Sequence, residues 1–98
     1  MNINKTNDGA SLMIELEGRL DTISAPQLEA ELKKSVTGIS VLVFDFEKLE
    51  YLSSAGLRVL LSAQKVMNRQ GEMKIRNVND TIMDIFEVTG FSEILTIE

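Results

Sequence analysis

Two adjacent serines, Ser53 and Ser54, stand between the apolar pair Tyr51-Leu52 and the small residues Ala55-Gly56, where a strand turns into a helix. The first turn of a helix has backbone N–H groups without intrahelical partners and the positive end of the macrodipole. A phosphorylated serine there is accommodated without unfolding its neighbours. If the helix opens at Ala55 or Gly56, Ser54 is nearest the cap position, and Gly56 leaves room for an approaching enzyme or phosphate. A phosphoryl group would add about 1.5 to 2 negative charges at neutral pH, so the position is suited to a switch. Taken alone, the same four residues also describe an ordinary capped helix start with small residues for close packing.

Other chemistry finds little support. The chain has no His and no Cys, so a serine nucleophile lacks its usual base and no thiolate is available. There is no G-x-S-x-G elbow, no Walker A sequence and no Rossmann glycine pattern. Only oxygen ligands remain for a metal, and Asp80, Asp84 and Glu87 are spaced like the solvated face of a helix, not like a calcium loop. The reading is a non-enzymatic protein with no cofactor and no metal site.

Ninety-eight residues, 44% hydrophobic and 26% charged, suit one domain over residues 1–98 with a single core. The net charge of -5 argues against nucleic acid or an anionic membrane surface as the direct partner. The polar start and the lack of any long apolar run point to a cytoplasmic protein.

The elements that must position the serines follow from periodicity. Leu12, Ile14 and Leu16 alternate with Met13, Glu15 and Glu17 in a half-buried strand, preceded by a strand near Ile3 through the Asp8-Gly9 turn. Ser24, Pro26 and Gln27 read as a capping box for a helix whose stripe is Ala25, Leu28, Leu32 and Val36. Ile39 to Phe46 is a central strand, and near-continuous apolar character suits cover on both faces. The helix after the serines carries Leu57, Leu60, Leu61 and Met67, widened by Val59, Ala63 and Val66, and ends at Gly71. Met73 and Ile75 mark another strand, Asp80 caps a helix bearing Ile82 and Phe86, Gly90 ends it, and Ile94 to Ile97 forms a last strand. The predicted fold is α/β in the order β-β-α-β-α-β-α-β, a mixed, mostly parallel sheet of four or five strands with three helices mainly on one side.

Gly18-Arg19-Leu20-Asp21, the helix beginning at Ser24, the strand end Phe44-Asp45-Phe46 and the run Tyr51 to Leu57 together resemble STAS domains, specifically bacterial anti-sigma factor antagonists. The resemblance covers nearly the whole chain and is most specific from Asp45 to Leu57. It implies that Ser54 is phosphorylated by a partner anti-sigma factor with serine kinase activity, that a serine phosphatase restores it, and that the unphosphorylated form binds the anti-sigma factor. Better-known members carry Asp immediately before the phosphorylated serine, where this chain has Ser53, the runner-up acceptor. They often carry a second hydroxyl residue where this chain has Ala55. The partner-binding face would comprise Asp21, Thr22, Ser24, Asp45, Ser53, Ala55, Gly56 and Arg58. For several of these a plainer role stands beside it: Asp21 as a solvated turn residue, Ser24 as a helix cap, Asp45 as a hydrogen-bond acceptor for loop amides. Two other readings stay open, a constitutive STAS interaction subunit that is never modified and a small nucleotide-binding protein.

Overall fold

A computed structural model describes residues 1–98. Strands β1 (Asn2–Asp8), β2 (Ser11–Leu20), β3 (Val41–Leu52) and β4 (Glu72–Arg76) form one sheet in sequential order, with α1 (Ala25–Ser35), α2 (Ser54–Gln70) and α3 (Asp80–Thr89) between and after them. β1 runs antiparallel to β2, while β2, β3 and β4 are mutually parallel. The hairpin is tight: Asp8 pairs with Ser11, and Gly9, at φ 62°, takes a left-handed conformation that disfavours residues with a Cβ.

The alternation in β2 and β3 directs Leu12, Ile14 and Leu16 together with Leu42, Phe44 and Phe46 to one face. There they join α1, α2 and α3 in a single cluster of 23 buried hydrophobic residues. Phe46 lies 6.0 Å from Phe44 and 6.5 Å from Phe86, ring centre to ring centre, which fixes α3 to the centre of the sheet. The opposite face carries Met13, Val43 and Lys74 in one row, all only half-buried. The central strand is thus covered on one face, the arrangement favoured by the helix count over that suggested by its apolar run.

Several element boundaries differ from the sequence reading, and β3 begins at Val41 instead of Ile39. β3 continues to Leu52, because Leu49 and Leu52 still reach the core although a shift in register against β2 disturbs their period. The last predicted strand is reduced to a single parallel bridge between Ile97 and Ile75, preceded by a 3-10 turn, Phe91–Glu93. The cap of α3 is Asn79, whose Oδ1 accepts from Ile82 N at 2.9 Å, and Asp80 becomes the first helical residue. Gly90 ends α3 in the left-handed region at φ 81°, as expected. Val66, assigned to the buried stripe of α2, is 40% exposed, and Gln64 is buried in its stead.

Candidate functional site

The register pairs Leu20 with Leu52, so β2 and β3 end side by side. α1 and α2 therefore both begin at the carboxyl end of the parallel strands, where open α/β sheets place their sites. Ser53 N donates to Leu20 O at 2.9 Å and locks the two strand ends together.

Within this frame the two serines have different tasks. Ser53 is the N-cap of α2: its backbone is extended, and its Oγ accepts from Gly56 N at 3.4 Å. The sequence reading gave that place to Ser54. One residue further on, Ser54 is the first helical residue and is exposed, whereas Ser53 is half-buried and engaged. Ser and Asp cap helices about equally well, so Ser53 performs the capping that Asp would perform at this position. The hydroxyl left free for chemistry is that of Ser54.

Gly56 also has a role other than the one expected. It is buried, and a Cβ there would lie 2.6 Å from Leu52 Cδ1 and 2.7 Å from Leu20 Cγ. Its absence lets the first turn of α2 settle on the ends of β2 and β3. The access of a second protein to Ser54 does not depend on it.

The turn from β2 into α1 is built by Asp21 and Ser24. Asp21 Oδ1 accepts from Ile23 N and Ser24 N, each at 3.0 Å, and Asp21 O accepts from Ala25 N at 2.8 Å. Ser24 Oγ donates to Arg19 O at 2.6 Å and accepts from Asp21 N at 2.9 Å. Ser24 is therefore not a side-chain cap, contrary to the capping-box reading. Its hydroxyl faces back to the strand end because its own backbone is already helical, at φ -90° and ψ -20°. Asp21 takes the capping role. Arg19 lies 3.8 Å from the Asp21 carboxylate and 4.3 Å from the centre of the Tyr51 ring, which links the turn to β3.

The Ser24 N–H, and behind it the Ser24 hydroxyl, the Ile23 N–H and the Arg19 charge, hold the Asp21 carboxyl below its ordinary value of 3.8, although partial desolvation opposes them. The lowered direction means that the carboxylate supports the fold at every pH above its unfolded value. That support is lost only as the pH falls through the lower folded value. In an NMR titration the Asp21 carboxyl is expected to show a midpoint below 3.8, and Ser24→Ala should bring it back toward 3.8. A wild-type midpoint above 3.8 would mean that the turn is not closed by the carboxylate.

Thr22, Ala55 and Arg58 line one shallow cleft between the starts of α1 and α2, and Thr22 and Arg58 are exposed. The structure thus brings together Asp21, Thr22, Ser24, Ser53, Ser54, Ala55, Gly56 and Arg58. Asp45 does not join them. It sits in the middle of β3 on the open face of the sheet, where its Oδ1 accepts from Glu47 N and Asn77 Nδ2, each at 3.0 Å. The continuation of β3 to Leu52 separates it from the site, and its plainer role is the one observed.

Two features were missed by the sequence reading. Ile23 projects from the Asp21 turn into solvent, and its only sequence signal is an apolar residue between turn formers. An S-x-x-K spacing, which can mark a nucleophile and its base, was counted absent in the sequence reading, but Ser62 and Lys65 have it. Both side chains are exposed on α2, further along the helix and outside the cleft that Thr22 and Ala55 line.

Comparison with known proteins agrees with this fold. The STAS domain family matches residues 2–98, and the chain belongs to that family. BtrV of Bordetella bronchiseptica, provisionally named an anti-sigma factor antagonist, is 39% identical over 84 residues, covering 84% of this chain and 72% of BtrV. The anti-sigma-B factor antagonist of Listeria monocytogenes is 33% identical over 97 residues, covering 96% of this chain and 84% of its own. Among solved structures, the Bacillus cell fate determinant SpoIIAA in its phosphorylated form superposes with a TM-score of 0.78 at 18% identity, covering 99% of this chain and 91% of that one. At that identity the likeness is one of fold.

Proposed function

We propose that this chain is an anti-sigma factor antagonist, a cytoplasmic binding protein that holds an anti-sigma factor and so frees a sigma factor for transcription. Phosphorylation of Ser54 by that partner ends the interaction, and a serine phosphatase restores it. The observation that carries this reading is the exposed Ser54 hydroxyl on the first turn of α2, at the carboxyl end of the parallel strands, with the neighbouring Ser53 already spent on the cap. The names of the relatives support the antagonist role. The phosphorylated neighbour supports the compatibility of this fold with such a modification.

The physical logic is local. A phosphate at the first helical residue lies beside unpaired N–H groups and the positive helix end, so the helix tolerates it. A partner fitted to the neutral hydroxyl meets instead a dianion that it must desolvate or repel. Binding is therefore switched while the fold is kept.

Incubation with the partner kinase and ATP, followed by intact-mass measurement and site mapping, tests the proposal. One added phosphate on Ser54 is expected. Phosphate on Ser53 alone would move the acceptor to the cap residue, and no mass increase would favour a constitutive interaction subunit.

A further inference from the structure

Ile23 is 89% exposed, the most accessible large apolar side chain of the protein, yet its backbone has almost no freedom. Its N–H and that of Ser24 are both held by Asp21 Oδ1, Ser24 Oγ ties the turn to Arg19 O and Asp21 N, and Ala25 N closes on Asp21 O. Turn positions are ordinarily filled by Gly, Pro, Asn, Asp or Ser, and an isoleucine held out in water adds nothing to the core. The turn also adjoins the start of α2. Thr22, the residue before Ile23, faces Ala55 across one cleft, and Ala55 is the residue after Ser54. Val88 is nearly as exposed, at 88%, but it lies on α3 in a patch bounded by Asp84, Ile85 and Thr89, outside that cleft.

We propose that Ile23 is the apolar anchor of the partner-binding surface and enters a pocket for one branched aliphatic side chain on the anti-sigma factor. The proposal rests on the antagonist reading above and adds a division of labour to it. Ser54 decides whether the complex forms, and Ile23 sets how long it lasts. The locked turn and the few χ1 states of a β-branched side chain leave little entropy to lose on burial, which is the property of an efficient anchor. Anchors of this kind contribute a disproportionate share of affinity and act mainly on dissociation.

Surface plasmon resonance against the purified anti-sigma factor of the source organism tests the proposal, with wild type, Ile23→Ala, Ile23→Val, Val88→Ala and Ser54→Asp compared. Ile23→Ala is expected to weaken binding by about tenfold or more through faster dissociation, and Ile23→Val by a smaller factor. Val88→Ala should bind as wild type. Ile23 and Val88 are exposed, so their substitutions should leave thermal unfolding unchanged, which separates an anchor from a structural role. If Ile23→Ala binds within about twofold of wild type while Ser54→Asp loses binding, the anchor is refuted and the switch stands. If Ile23→Ala weakens binding and Ser54→Asp does not, the anchor stands and the charge switch falls. If wild type does not bind, both fall.

Discussion

Ser54→Asp is expected to weaken binding to the anti-sigma factor by about two orders of magnitude, the scale set by an unpaired charge forced into a desolvated contact. The same substitution should leave the fold intact and slightly raise its melting temperature. Residue 54 is exposed and is the first helical residue of α2, whose first turn contains no acidic side chain. A carboxylate there complements the helix dipole by about 0.3 to 1 kcal/mol. Ser54→Ala removes a hydroxyl that the cap does not use and should bind the partner while resisting the kinase. The opposed signs are the useful part: isothermal titration calorimetry should show the loss for Ser54→Asp while differential scanning calorimetry shows a small gain. Undiminished binding would mean that charge at this position does not gate the interface. Parallel losses of binding and of stability would mean that the side chain supports the fold, with no switch involved. Ser53→Ala is the complementary control, since it removes the bond from Gly56 N and should cost about 1 kcal/mol of stability.

How much of this was legible in the sequence depends on which forces decide each feature. β2, α1 and α2 follow from burial periodicity, and Ile14, Leu28 and Leu60 are fully buried where the pattern puts them. The end of β3 was not legible. From Glu47 to Tyr51 only Leu49 points into the core, and the shifted pairing with β2 hides the period that a sequence reader counts. The last strand failed for the opposite reason: the alternation of Ile94 to Ile97 is present, but only Ile97 meets a partner, and the chain turns through Phe91–Glu93 just before it. At the site, the strand-to-helix junction that carries the two serines was legible and the assignment of the cap was not. Ser, Asn and Asp are nearly equivalent as caps, so propensity cannot choose between Ser53 and Ser54 or between Asn79 and Asp80. In each pair the first residue has the extended backbone that a cap requires, a fact set by where the preceding strand or loop ends. The same applies to Ser24, whose sequence context is that of a capping box while Asp21, three residues earlier, supplies the hydrogen bonds.

Gly71→Ala carries the largest expected effect on stability, and its cause is a close approach, since its φ of 168° is open to any residue. A Cβ at position 71 would lie 1.9 Å from Ser40 O and 2.6 Å from Ser40 C, which are backbone atoms and cannot swing aside. Ser40 is also a junction. Its O accepts from Glu72 N at 2.9 Å, and its N donates to Ala10 O at 2.8 Å, so it joins the β1–β2 turn, the start of β3 and the start of β4. Relieving the clash means moving that junction or pulling α2 off the sheet, where Met67 is fully buried. A loss of about 3 kcal/mol or more is expected, which lowers the melting temperature of a domain of this size by roughly 12 to 24 °C. Gly38→Ala separates the two kinds of glycine requirement. Gly38 has a left-handed φ of 78° and nothing near its missing Cβ, so alanine there should cost only about 1 to 2 kcal/mol. Equal losses in the two variants would show that backbone conformation, not the approach of Ser40, governs position 71. Gly71 lies at the start of β4 and Ser54 beyond the end of β3, at opposite ends of the parallel strands. Below its melting temperature, then, Gly71→Ala should still bind the anti-sigma factor and still lose that binding on phosphorylation, because the hydroxyl, its cap and the Asp21 turn are held by the other end of the sheet.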